Sequence, residues 1–66
     1  MNTVYCVMSV NSNDGEHSPR WLCCIYANKK DADANATNQN QQVEQDNRDG
    51  KYTNPLYYFV EAWQVQ

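Results

Sequence analysis

The chain has 66 residues and a formal net charge of −3, from eight acidic and five basic side chains. That length holds one domain, near the size at which a hydrophobic core is marginal and a staple, a metal or a partner subunit is usually needed. The acidic balance disfavours nucleic-acid binding, which draws its affinity from basic groups on phosphates. No acidic run exceeds two residues, so imitation of DNA is disfavoured as well.

The opening segment has no basic start followed by a long apolar stretch, and no apolar run approaches the roughly 20 residues of a membrane helix. Cysteines occur at Cys6, Cys23 and Cys24. Strand alternation would point the adjacent Cys23 and Cys24 to opposite sides, which one disulfide network could not easily use. Thiols inside apolar runs, odd in number, read as reduced small hydrophobes, so a cytoplasmic setting is expected. The sequon Asn35-Ala36-Thr37 would then carry no glycan.

In chain order, residues 3–10 (TVYCVMSV) are β-branched, aromatic and uncharged, which predicts a central strand with two apolar or neutral faces. Residues 11–19 (NSNDGEHSP) predict a polar loop whose tightest point is Asn13-Asp14-Gly15. A second strand is expected over 20–27 (RWLCCIYA), forming a hairpin with the first. Composition then changes sharply. Asn28 can cap a helix with Asp31 three residues on, and Gly50 can end it, which predicts a helix over about 29–48. Its apolar stripe is thin: Ala32, Ala36 and Val43. The Asn/Gln-rich stretch NATNQNQQVEQDN competes as a disordered linker over residues 35–48.

After a turn over 50–55, residues 56–65 (LYYFVEAWQV) predict a third strand, the most aromatic segment of the chain. The order ββαβ defines an α+β domain, a three-stranded sheet with one helix packed on one face. Placing the uncharged first strand in the middle gives strand order 2-1-3, all antiparallel. The alternative 1-2-3 needs a parallel pair joined by a right-handed crossover.

These segments, Val4–Ser9 (VYxVxS), Trp21–Ala34 (with KKDADA) and Tyr57–Val65 (YYxVExWxV), resemble a family of short phage and bacterial ββαβ proteins. The family carries a Tyr-Ser-Asp-Tyr segment where this chain has His17-Ser18-Pro19-Arg20-Trp21. The resemblance implies the ββαβ order and a phage-type origin, hence the cytoplasm of a bacterial host. It implies no functional residues.

Catalytic and metal-binding constellations are not evident. Cys6, Cys23, Cys24 and His17 form no CxxC or HxxxH spacing, so no metal is expected, and no cofactor loop can be built on Gly15 and Gly50 alone. His17 beside Ser18 lacks an orienting third group. The acids Asp31 and Asp33 suit a helix N-terminus. The chain therefore reads as a non-enzyme.

Alternation in the third strand places Leu56, Tyr58, Val60 and Ala62 on one face and Tyr57, Phe59, Glu61, Trp63 and Val65 on the other. A carboxylate beneath a helix is costly unless paired, which assigns the charge-free face to the helix. A Glu61 near the strand edge could reach solvent from either face, and the loop 11–19 or the chain's long tail could fold across the aromatic one. The aromatic face is expected to present Tyr57, Phe59, Glu61 and Trp63 together with Tyr5 and Val7 of the first strand, a surface suited to a protein partner. The third strand holds no Lys or Pro to blunt its edge, so a homodimer through it is a further expectation. An accessory protein inhibiting or redirecting a host protein, such as a CRISPR–Cas or other defence component, is the leading functional expectation. A nucleic-acid-binding or small-ligand-binding dimeric domain is the alternative.

Overall fold

The structure, a computed structural model, describes residues 2–14, 17–50 and 53–65. The chain forms strand β1 (Asn2–Asn11), strand β2 (Trp21–Tyr26), helix α1 (Lys29–Asp49) and strand β3 (Leu56–Val65). The sheet has the order β2-β1-β3, and β1 is antiparallel to both neighbours. This is the small α+β architecture expected from the order of elements. No described helix is long and apolar enough to cross a membrane. Gly15 of the expected loop turn, and residues 51 and 52 of the expected 50–55 turn, lie outside the described residues.

β1 is central because it can be covered on both sides without burying a charge. Cys6, Val7, Met8 and Ser9 are buried in succession, whereas a half-solvated strand would alternate. Its ladder with β3 is unbroken from Asn2↔Val65 to Asn11↔Leu56. Its ladder with β2 shifts register between Val7 and Met8, where Cys23 is an extra, bulged residue.

α1 begins where Asn28, in extended conformation, accepts a 2.9 Å hydrogen bond on Oδ1 from the Asp31 N–H. Asn28 Nδ2 in turn donates to Asp31 Oδ2 at 3.0 Å. Gly50 ends the helix at φ 70°, a left-handed conformation that a Cβ would disfavour. The helix runs without a break through the Asn/Gln-rich stretch, so the linker alternative is overturned.

The physical reason lies in what those amides reach. Ala32 and Ala36 are buried over Val7 and let the helix backbone come close to the sheet. Further along the same stripe, Asn40 accepts from the Tyr58 N–H at 2.9 Å and donates to the Tyr58 carbonyl at 2.9 Å. One heptad on, Asn47 does the same to Asn54, accepting from its N–H at 2.6 Å and donating to its carbonyl at 3.2 Å. On the outer face, Gln42–Asp46 and Gln45–Asp49 hydrogen bonds and the Lys29–Asp33 and Arg48–Glu44 ion pairs join residues four apart. Each such pair adds a few tenths of a kcal/mol.

Replacing Asn40 removes both bonds to the β3 edge. Asn40→Ala is expected to lower the unfolding free energy by about 1–2 kcal/mol, while Asn38→Ala, exposed on the same helix, changes it by no more than about 0.5 kcal/mol. Urea denaturation followed by circular dichroism measures both.

Candidate protein-binding face

The register fixes which residues share each face. Val7, Ala32 and Ala36 form the core cluster, with Tyr5, Cys24, Tyr26, Tyr58 and Val60 packed against it. Leu56, Tyr58, Val60 and Ala62 thus lie on the helix side, and Tyr57, Phe59, Glu61, Trp63 and Val65 on the open side. Across from them β1 places Val4, Cys6, Met8 and Val10 on the open side, since paired residues share a face.

Two expectations are corrected here. Tyr5 and Val7 do not join the aromatic face: they pair with Ala62 and Val60, so they fall under the helix. The antiparallel ladder decides this, because one residue of register carries every side chain of a strand to the other face. Cys23 and Cys24 do not point to opposite sides either. Cys24 packs on the core cluster, and Cys23 donates from Sγ to Ser9 Oγ at 3.4 Å on the same side. The bulge makes both residues oppose one position of β1.

That bulge also sets the rest of β2. Beyond it, Leu22 pairs with Met8 on the open side and Trp21 with Ser9 on the helix side. Arg20, one residue earlier, is therefore delivered to the open side, where its guanidinium meets Glu61 Oε2 at 3.1 Å. Arg20 precedes β2 and Glu61 belongs to β3, so the ion pair bridges the central strand. This partner lets a carboxylate stand in the middle of an apolar face. Without the bulge, simple alternation would send Arg20 toward the helix.

Among the described residues the open face carries most of the exposed large apolar side chains, Trp21 on the helix side being the exception. Leu22, Ile25, Tyr57, Trp63 and Val65 on it are each between 42% and 56% exposed. Tyr57 and Phe59, two residues apart, stack with ring centroids 6.3 Å apart and planes 19° from parallel. The described loop residues bond at the end of the sheet: Asp14 N–H to the Asn11 carbonyl, His17 N–H to the Asp14 carbonyl, and Ser12 N–H to the Pro55 carbonyl. Of the site residues chosen from sequence, Tyr57, Phe59, Glu61 and Trp63 are brought together on this face. Arg20, Leu22 and Ile25 were missed: the bulge at Cys23 decides the side of Arg20 and Leu22, and the Cys6↔Ile25 pairing decides that of Ile25, and neither is a local signal.

Cys6 lies beside Glu61 on this face, fully covered. Burial and then the negative Glu61 carboxylate push its thiol above the ordinary value. Burial also pushes the Tyr58 hydroxyl up, aided by Cys23. Glu61 Oε1 is buried with no hydrogen-bond partner among the described residues. Those residues contain no group of three or more His, Cys, Asp or Glu able to hold a metal. Comparison with protein-family models, with curated proteins and with solved structures gives no match.

The raised Cys6 value makes stability depend on alkaline pH. Above about 9, the ordinary thiol value, the unfolded chain releases the Cys6 proton while the folded chain retains it, so folding loses stability as pH rises. Tyr58 acts in the same direction at higher pH. Urea midpoints are expected to be flat from neutral pH and to fall above it in that window, with Cys6→Ala removing the first part of the decline. Thiol labelling of the native protein is expected to reach exposed Cys23 first and buried Cys6 last.

Proposed function

We propose that this chain is a non-catalytic protein-binding module whose open sheet face is the binding surface. The observation that carries the reading is the set of exposed apolar side chains Leu22, Ile25, Tyr57, Trp63 and Val65 on the face that the helix does not cover. Exposed apolar side chains gathered on one face of a small domain mark interaction sites. Tyr and Trp are suited to the task, because they present large, stiff contact areas at low entropic cost. The Arg20–Glu61 pair in their midst supplies charged groups that a partner can meet with complementary ones. The role proposed is that of a phage-type accessory protein acting in a bacterial cytoplasm, inhibiting or redirecting a host protein such as a CRISPR–Cas or other defence component. The resemblance in strand patterning and the small size support this finer part.

A nucleic-acid reading would use the same rings as a stacking platform. The net charge of −3 and a carboxylate among the rings place it second.

The test is affinity capture from a bacterial host lysate with the wild-type chain and with Tyr57→Ala and Trp63→Ala in parallel. A specific partner retained by the wild type is expected to bind each variant at least about 30-fold more weakly, the loss associated with a buried aromatic anchor. Equal retention by wild type and both variants would refute the face as the binding surface. Circular dichroism spectra of the variants should match the wild type, because both side chains are exposed.

A further inference from the structure

We infer that a second copy of this chain pairs antiparallel with the outer edge of β3, over Val60, Ala62 and Gln64, and joins two sheets into one of six strands. This goes beyond the face reading, because it concerns the edge of the sheet and leaves the open face uncovered.

The argument starts from backbone direction. In an antiparallel ladder the N–H and C=O of one residue point to the same side, and that side alternates along the strand. Asn40 engages both groups of Tyr58, so those groups are turned away from β1. Because the β1–β3 ladder is unbroken, Leu56, Val60, Ala62 and Gln64 also direct their backbone groups outward. The edge is capped at its beginning: the Leu56 N–H donates to Asn54 Oδ1 at 3.1 Å, and Asn40 holds Tyr58. Capping then stops. No hydrogen bond of the described residues reaches the outward groups of Val60, Ala62 or Gln64.

The path of the helix explains the boundary. At the level of Ala62, which pairs with Tyr5 and through it with Tyr26, the helix lies toward β2, where Asn35 donates to the Tyr26 hydroxyl at 3.0 Å. By Asn40 it has crossed to the edge of β3 at Tyr58. The helix thus obstructs the edge at Tyr58 and leaves it clear from Val60 onward, where Ala62 and Gln64 are exposed. A two-fold related copy has its helix displaced in the same sense, away from the shared edge.

The occupant is a second copy because the free stretch is complementary to itself. A two-fold axis at Ala62 sets Ala62 opposite Ala62 and Val60 opposite Gln64 of the second copy, using all three free rungs. It sets Glu61 opposite Trp63 of the second copy. An axis at Glu61 would place two carboxylates directly opposite, which is destabilising, and would drive a partner residue against the capped Tyr58. An axis at Trp63 pairs only two of the free rungs with each other. The size of the core points the same way: among the described residues the buried apolar side chains are Cys6, Val7, Met8, Ala32 and Ala36, a set for which oligomerisation is one of the usual supplements. A perpendicular two-fold keeps both open faces on the same side of the joined sheet, so the dimer presents one continuous surface.

Sedimentation equilibrium of the full chain tests the inference. The wild type is expected at twice the 7.7 kDa chain mass. Ala62→Pro removes an outward N–H from each copy, and Ala62→Lys places like charges across the axis. Each is expected to weaken self-association at least about tenfold. Should the proline variant not fold, the lysine variant, at an exposed position, carries the test. Mild oxidation of Ala62→Cys, with the native cysteines in place, is expected to give a disulfide between the two introduced thiols, mapped by mass spectrometry, since the paired Cα atoms are about 5.5 Å apart. Gln64→Cys is expected to give none, its two copies lying about 13 Å apart along the strands. A monomeric wild type, a dimer indifferent to both Ala62 substitutions, or a link through Gln64→Cys would each overturn the inference. Tyr57 lies outside the paired stretch and separates this result from the face reading: Tyr57→Ala is expected to leave the dimer intact, and a dimer lost in it but kept in Ala62→Pro would overturn the edge.

Discussion

Val7 sits at the centre of the sheet with no exposed surface, beneath the turns of the helix that carry Ala32 and Ala36. Two alanines make this approach close enough that the next side chains on the stripe reach the sheet backbone. Asn40 and Asn47 grip whole peptide positions, N–H and carbonyl together, in β3 and in the segment before it. Larger residues at the alanine positions would lift the helix and break both grips. A core with few buried side chains is thus supplemented by side-chain-to-backbone hydrogen bonds, whose net worth is modest singly but which act on one rigid helix.

The same geometry divides the molecule into surfaces of different character. The helix side takes up Tyr5, Tyr26, Tyr58 and Val60. The open side is left with Leu22, Ile25, Tyr57, Phe59, Trp63 and Val65, together with the Arg20–Glu61 ion pair. One bulged residue, Cys23, ensures that Arg20 arrives on the side where Glu61 needs it. A carboxylate there without its guanidinium would carry the desolvation cost of a half-buried charge. The diagonal path of the helix then determines which part of the β3 edge stays free.

Much of the architecture was legible from local pattern. The uncharged run at residues 3–10 pointed to the central strand, and Glu61 favoured the face that the helix does not cover, with the choice between faces left open. Asn28, Asp31 and Gly50 marked the helix ends through capping chemistry that needs no tertiary information. The composition of residues 35–48 was ambiguous because an amide-rich helix and a disordered linker share it. Hydropathy treats Asn40 and Asn47 as solvated groups, whereas here they are the contacts that dock the helix.

What the sequence determined by itself was the uncharged character that suits the first strand to the centre, the caps at the two ends of the helix, and the grouping of Tyr57, Phe59, Glu61 and Trp63 on one face. These follow from charge placement and from periodicity within single elements. Tertiary structure alone decided that Tyr5 and Val7 belong under the helix, that Cys23 and Cys24 share a side, and that Arg20 meets Glu61. Each of these depends on register between strands, and register is a relation between distant segments. A single bulge or a shift of one residue reverses the side on which every later side chain emerges.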